Sequence, residues 1–123
     1  MKKALTLTAF VGALAIILGA FGAHALKSKL SPEALNSFET AVRYQMFHVL
    51  VLLFTNTYKE FNFQTKKILN ILFFLGILFF SGSIYLIYLA HIPAKSIWFI
   101  TPLGGVLLTI GWLYMLFSFL KKK

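Results

Sequence analysis

Four long apolar runs, separated by short polar segments, dominate this chain of 123 residues. The runs cover residues 4–25, 38–58, 68–90 and 97–120. Each run is close to the roughly 20 residues that a helix needs to cross the apolar core of a bilayer. The pattern therefore predicts an all-α fold, an integral membrane four-helix bundle built from a single transmembrane domain.

The composition agrees with a membrane domain and excludes several classes of protein. Hydrophobic residues make up 59% of the chain, charged residues only 12%, and the mean hydropathy is +0.84. The net charge of +9 arises from lysines at the ends of apolar runs, so we expect no nucleic-acid partner. The absence of cysteine excludes a disulfide framework, and three glutamates without aspartate nearly exclude two-carboxylate chemistry within one subunit.

The first apolar run resembles a signal peptide. Lys2 and Lys3 precede it, and Ala23, His24 and Ala25 form a cleavage-like triplet. The run is nevertheless longer than a usual signal core, and its removal would strand three following spans. We therefore expect it to be retained as a membrane helix.

The distribution of lysines predicts the orientation, because cytoplasmic loops of membrane proteins carry an excess of positive charge. If the N-terminus is cytoplasmic, eight lysines lie inside and three outside. The inside set is Lys2, Lys3, Lys59, Lys66, Lys67, Lys121, Lys122 and Lys123, and the outside set is Lys27, Lys29 and Lys95. This bias predicts that both termini are cytoplasmic.

The second helix is predicted to begin at Pro32, since Ser31 can cap a helix and proline fits its first position. Its span then carries polar residues that are costly in hydrocarbon, so these should face other helices or a cavity. They are Glu39, Arg43, Gln45 and His48. In the fourth span, the segment 101–105 contains Pro102 and predicts a kink or a widened first turn there.

Polar residues of all four spans are predicted to lie at a similar depth. Counting about 20 residues back from Tyr58 places Glu39 at the outer boundary, with Arg43 about 6 Å and His48 about 13 Å deeper. The same count places polar positions of the other spans in the outer half. The resulting candidate site, the outer polar cluster, comprises His24, Glu39, Arg43, Tyr44, Gln45, His48, Ser81, Ser83 and Thr101.

Three members of the cluster allow alternative interpretations. Glu39 and Arg43 are spaced for an i, i+4 ion pair, which either locks the second helix at the membrane edge or contacts a ligand or ion. His48 is either a hydrogen-bonded packing residue or a proton relay. His24 and His91 are expected to be interfacial hydrogen-bonding residues, and no spacing predicts a metal site or another cofactor. Aromatic residues such as Tyr85 and Trp112 are interpreted as ordinary span residues.

Four segments together resemble one known family. They are GAFGAHAL at 19–26, FETAVRYQMFH at 38–48, FSGSIYL at 80–86, and TPLGG at 101–105 followed by Gly111-Trp112. The chain is identified as a member of the domain of unknown function 423 family of small membrane proteins, which includes the transmembrane protein 256-like proteins. The resemblance implies a multi-pass, four-helix protein of the bacterial inner membrane, with no established activity and no catalytic residues to carry over.

The leading functional hypothesis is a non-enzymatic membrane protein. Its outer polar cluster would bind a lipid-like or small amphiphilic ligand or a partner helix, and its partners would be membrane lipids, a second copy or another membrane protein. The alternative is a small transporter or proton-linked permease using His48 as relay, although the sequence lacks the inverted repeat of many carriers. An intramembrane enzyme is a third hypothesis, weakened because no nucleophile is positioned by a recognisable motif.

Overall fold

The structure, a computed structural model, describes residues 2–121, and this part of the chain is helical without strands. Met1, Lys122 and Lys123 lie outside the described residues, so the last two lysines of the orientation count have no structural account. The elements are α1 (Lys2–His24), α2 (Pro32–Thr57), α3 (Phe63–Leu89), the short α4 (Ala94–Ile97) and α5 (Ile100–Lys121). The predicted all-α, four-helix architecture is confirmed.

Three stretches are long and apolar enough to cross a membrane: Lys2–His24, Phe63–Leu89 and Ala94–Lys121. The remaining long helix, α2, has 26 residues and is about 39 Å long, but it is less apolar than these stretches. Arg43, Gln45 and His48 account for much of this difference. The assignment of residues 38–58 as a span therefore stays a prediction.

Side-chain caps explain why two helices begin before their apolar runs. Ser31 Oγ accepts the Ala34 N–H at 3.1 Å, as the sequence predicts, and α2 starts at Pro32. Asn62 Oδ1 accepts the Thr65 N–H at 2.8 Å and starts α3 at Phe63 rather than near residue 68. Each cap satisfies a backbone N–H that has no partner within the helix.

The break before α5 lies one turn earlier than the sequence predicts. The segment 101–105 is regular helix, and the chain instead turns at Trp98 and Phe99. Pro102 explains this position, because proline has no N–H to give to the carbonyl four residues back, and its ring clashes with that carbonyl, which belongs to Trp98. The prediction of a kink within 101–105 is therefore wrong in place, although proline is the cause.

The long helices alternate in direction; α1 packs on α2, and α3 packs on both α2 and α5. Both described ends of the chain thus lie at the end of the bundle that also holds the α2–α3 loop. We call this the basic end, after Lys2, Lys3, Lys59, Lys66, Lys67 and Lys121. The other end, with Lys27, Lys29 and Lys95, is the opposite end.

Polar residues are unusually common inside this bundle and large apolar residues are common outside it. Buried polar side chains include Thr8, Gln45 and His48, whereas Ile16 and Ile17 of α1 are 65% and 61% exposed. An apolar core of α2, α3 and α5 side chains fills the half nearer the basic end. This distribution suits a protein surrounded by lipid, in which polar groups are best paired between helices.

Candidate functional site

Gln45 joins three helices through its side-chain amide. Its Nε2 donates to the Val11 carbonyl of α1 at 2.8 Å, and its Oε1 accepts from the Tyr85 hydroxyl of α3 at 2.6 Å. The side chain is only 3% exposed. Both ends of the amide are therefore used, and Gln45 holds α1 and α3 on the same side of α2.

His48 uses both of its ring nitrogens. Nδ1 lies 2.8 Å from the Tyr44 carbonyl, and Nε2 lies 3.0 Å from Trp112 Nε1 of α5. A carbonyl only accepts and an indole only donates, so the network assigns the neutral tautomer with the proton on Nδ1. No ring nitrogen is left over to pass a proton onward in this arrangement.

Serine and threonine hydroxyls tie α3 to its two neighbours. Ser81 Oγ donates to the Ala41 carbonyl of α2 at 2.7 Å. Ser83 and Thr101 share a hydrogen bond between α3 and α5, and Ser83 also donates to the Phe80 carbonyl at 3.1 Å. Five predicted cluster residues thus form hydrogen bonds between helices, and these bonds are spread along the bundle, since Thr101 and Trp112 are 11 residues apart on α5. We call Gln45, His48, Ser81, Ser83 and Thr101, with Tyr85 and Trp112, the interhelical network.

The side chains of the other four predicted residues lie outside this network. His24, Glu39 and Arg43 are exposed, and Tyr44 is 41% exposed with its ring stacked on Phe80 at a centroid distance of 4.9 Å. The structure does not bring them together as a site. The outer polar cluster therefore divides into a hydrogen-bonded network, most of which is buried, and separate surface residues.

The predicted Glu39–Arg43 ion pair is not formed. Arg43 Nη2 instead donates to Thr40 Oγ1 at 3.0 Å, three residues toward the helix start. That direction carries the guanidinium toward the opposite end, which is how a long basic side chain near a membrane boundary reaches water.

Tyr85 and Trp112 belong to the network, although the sequence pattern suggested only ordinary span residues. A buried tyrosine hydroxyl or indole N–H usually has a hydrogen-bond partner, and this rule pointed to them in principle. Their partners could not be assigned without the neighbours of each helix. Near the basic end, the amides of Asn56 and Asn70 form a further reciprocal pair, both hydrogen bonds being 2.8 Å.

The network is almost fully satisfied by protein groups. Within residues 2–121, the buried side-chain nitrogen and oxygen atoms all have hydrogen-bond partners except Thr55 Oγ1. The described residues also contain no group of three or more His, Cys, Asp or Glu side chains that could hold a metal ion. That the protein needs no cofactor stays a prediction.

The bond between Trp112 and His48 can be tested with the chain's two tryptophans. We expect Trp112→Phe to lower the free energy of unfolding by about 1 kcal/mol, because His48 Nε2 loses its donor while the aromatic packing on Phe73 is kept. Trp98→Phe is the control, since Trp98 is 69% exposed. Detergent unfolding followed by far-ultraviolet circular dichroism would measure both, and equal stability of the two variants would contradict the assigned bond.

A groove lies between α1 and α3, with α2 as its floor. Its volume is about 360 Å³, and its walls are almost wholly apolar. On α1 it extends from Leu7 to Leu18, about 16 Å along the helix axis. Gln45, Ser81 and Tyr85 reach its floor, but their polar groups are bonded within the protein. The groove therefore offers an apolar channel beside the network.

Comparison with known proteins places the chain in a family. The model of a protein of unknown function (DUF423) matches residues 18–105. The chain belongs to the DUF423 family. This confirms the resemblance seen in the sequence, and the DUF423 description names no activity. No solved structure matches the chain.

The chain is also similar over nearly its whole length to bacterial membrane proteins. It is 40% identical over 121 residues to the UPF0382 membrane protein SAB0533 of Staphylococcus aureus strain bovine RF122, covering 98% of both chains. It is 37% identical over 122 residues to a UPF0382 membrane protein of Haemophilus influenzae, covering 99% of this chain and 97% of the relative. For YwdK of Bacillus subtilis the identity is 36% over 129 residues, covering 98% of each. These relatives and the three apolar stretches identify this DUF423 chain as a membrane protein.

Proposed function

We propose that the protein is a non-enzymatic component of the bacterial inner membrane that binds a lipid-like amphiphile in the α1–α3 groove. The observation that carries this proposal is the groove itself, an apolar channel of about 360 Å³ whose polar floor is already satisfied. The proposed ligand site is therefore the groove, whereas the sequence alone suggested the outer polar cluster. The buried network keeps the helices in place and shapes the floor.

The dimensions of the groove favour a single flexible chain over a helix. A 16 Å length of helix with a diameter of about 10 Å occupies roughly 1,200 Å³, which is several times the groove volume. An extended hydrocarbon chain is much thinner. Because lipid tails are as apolar as leucine, binding would depend on close packing in the groove rather than on a hydrophobic driving force.

The opposite end of the bundle offers positive charge for a headgroup. Lys27 and Lys29 are exposed in the α1–α2 connection, beyond the end of α1. Leu18, at the end of the groove, lies about 9 Å below His24 along the same helix. An amphiphile with its chain in the groove could therefore place an anionic headgroup near these lysines, which supports a lipid-like ligand.

Gly82→Leu tests the groove with little disturbance of the backbone. A Cβ at Gly82 would meet Leu78 Cδ1 at 3.7 Å, an ordinary contact, and a larger side chain would extend into the groove. We expect the wild-type protein to retain lipid through purification in mild detergent, and Gly82→Leu to lose most of it. Native mass spectrometry of the purified protein would measure the retained lipid.

Gly105→Leu is the matched control, because a Cβ there also makes only an ordinary contact, with Phe80 at 3.9 Å, and lies outside the groove. Both variants should unfold like the wild type. Equal lipid retention by both variants would contradict the proposal. Loss of a dimer with unchanged lipid in Gly82→Leu would identify the groove as a helix-docking surface instead.

The transport hypothesis receives no support from the geometry, because both nitrogens of His48 are engaged. A proton flux into liposomes that His48→Ala removes would favour the transport hypothesis over this proposal. In that result the Trp112–His48 bond would have to open during turnover.

A further inference from the structure

A second cavity lies at the basic end, far from the groove. Its volume is about 350 Å³, and it is bounded by the start of α3 and the last two turns of α5. We call it the basic-end cleft. Thr65 in the cleft and Phe74 in the groove are nine residues apart on α3, about 13 Å along the helix axis. The two cavities are therefore separate sites.

The lining of the basic-end cleft combines polar groups with aromatic walls. Asn62, Thr65, Ser118 and Lys121 contribute amide, hydroxyl and ammonium groups, and Phe117 forms an apolar side that is 57% exposed. Such a mixture suits the interface between lipid tails and headgroups. A small soluble ion would gain little from the exposed aromatic side.

Lysines are frequent at this end of the bundle. Lys121 lines the cleft, and Lys59, Lys66 and Lys67 lie on the adjoining loop and first turns of α3. Glu60 is the acidic residue in the lining. If the lysine bias sets the orientation, this end faces the cytoplasmic leaflet, whose anionic lipids attract basic segments next to the membrane.

We propose that the basic-end cleft binds the phosphate headgroup of an anionic phospholipid of the cytoplasmic leaflet. Lys121 would meet the phosphate, and the hydroxyl of Thr65 would lie within the same cavity. Phe117 would contact the glycerol and the first methylenes of the chains. This site goes beyond the proposed groove function and does not depend on it.

The test measures headgroup selectivity in a bilayer. Spin-labelled phosphatidylglycerol and phosphatidylcholine are added separately to nanodiscs holding the full chain, and the motionally restricted fraction gives their relative association. We expect a clear preference for phosphatidylglycerol. Lys121→Gln should lower this preference about fivefold, the usual contribution of one lysine at a charged membrane surface. Lys95→Gln, at the opposite end, should leave it unchanged.

Ser118→Phe separates the cleft from general surface charge, because it fills the cavity and keeps every lysine. The control is Thr109→Phe, also on α5, since Ser118 and Thr109 each donate to the carbonyl four residues back. We expect only Ser118→Phe to reduce the preference. Equal preference in Ser118→Phe and wild type would overturn the proposal. The preference would then arise from the general positive charge of the lysines and not from the cleft.

Two further measurements identify the ligand and distinguish this proposal from that of the α1–α3 groove. Excess inorganic phosphate should not displace the spin-labelled lipid, and full displacement would identify a site for free anions instead, overturning the proposal. Gly82→Leu should keep the headgroup preference even if it loses lipid from the groove. A loss of preference in Gly82→Leu would contradict the assignment of the headgroup to the basic-end cleft.

Discussion

The Gly104→Ala variant is expected to lose about 3 kcal/mol of unfolding free energy, the upper end of the usual cost of overpacking. A Cβ at Gly104 would lie 2.2 Å from the Phe80 backbone nitrogen and 2.7 Å from its Cα. Backbone atoms of a packed helix cannot rotate away as a side chain can. The added methyl group must therefore push α5 away from α3 where Gly104 lies against the Phe80 backbone.

The neighbouring glycine provides an unusually close control. A Cβ at Gly105 meets only Phe80 Cδ1 at 3.9 Å, so Gly105→Ala should be neutral or stabilise by the helix preference of alanine, up to about 1 kcal/mol. Both variants add one methyl group to the same turn. Unfolding in a detergent titration, followed by circular dichroism, should separate them. Similar stabilities would contradict the close approach of α5 to α3.

The Gln45→Leu variant is expected to lose about 2 kcal/mol of unfolding free energy. It removes the hydrogen bonds to the Val11 carbonyl and the Tyr85 hydroxyl, and it leaves that hydroxyl without its acceptor. Hydrogen bonds between membrane helices average about 0.6 kcal/mol and reach about 1.7 kcal/mol. Two such bonds at one side chain sum to between about 1.2 and about 3.4 kcal/mol, and the expected loss lies within that interval.

A double-mutant cycle with Tyr85→Phe isolates the bond between Gln45 and Tyr85. We expect a coupling of about 1 kcal/mol between the two side chains. Gln64→Leu controls for the change in hydrophobicity, because Gln64 is exposed in the first turn of α3. A cycle with no coupling would contradict the bond between Gln45 and Tyr85. A Gln45 variant as stable as the Gln64 variant would contradict the stabilising role of Gln45 in the network.

Local rules predicted the helices well because their causes are close in sequence. Ser31 caps α2 where its hydroxyl can reach a backbone N–H three residues away, and the apolar runs have the length of spans. The predicted position of the helix break differs from the observed one at Trp98 by only one turn, since Pro102 acts on the carbonyl four residues earlier. The sequence could also anticipate that Gln45 and His48 face other helices, because lipid offers them no partner.

Properties that depend on which helices are neighbours could not be predicted. The i, i+4 rule favours a Glu39–Arg43 pair, but Arg43 reaches toward water and Thr40 instead. The side-chain partners of Gln45 and His48, Tyr85 and Trp112, lie on other helices, 40 and 64 residues away. The α1–α3 groove depends on the absence of close packing between those two helices, and no pattern within one helix encodes such a gap.

The position of α1 has a consequence for how the fold opens. Close backbone packing joins α1 to α2, while the large apolar core is shared by α2, α3 and α5. Swinging α1 outward therefore breaks mainly the α1–α2 interface and leaves the core of α2, α3 and α5 in place, so this partial opening disrupts only part of the packing. Such a movement would widen the opening of the groove between α1 and α3 toward the lipid. A hydrocarbon chain could then enter the groove from the surrounding leaflet without leaving the bilayer.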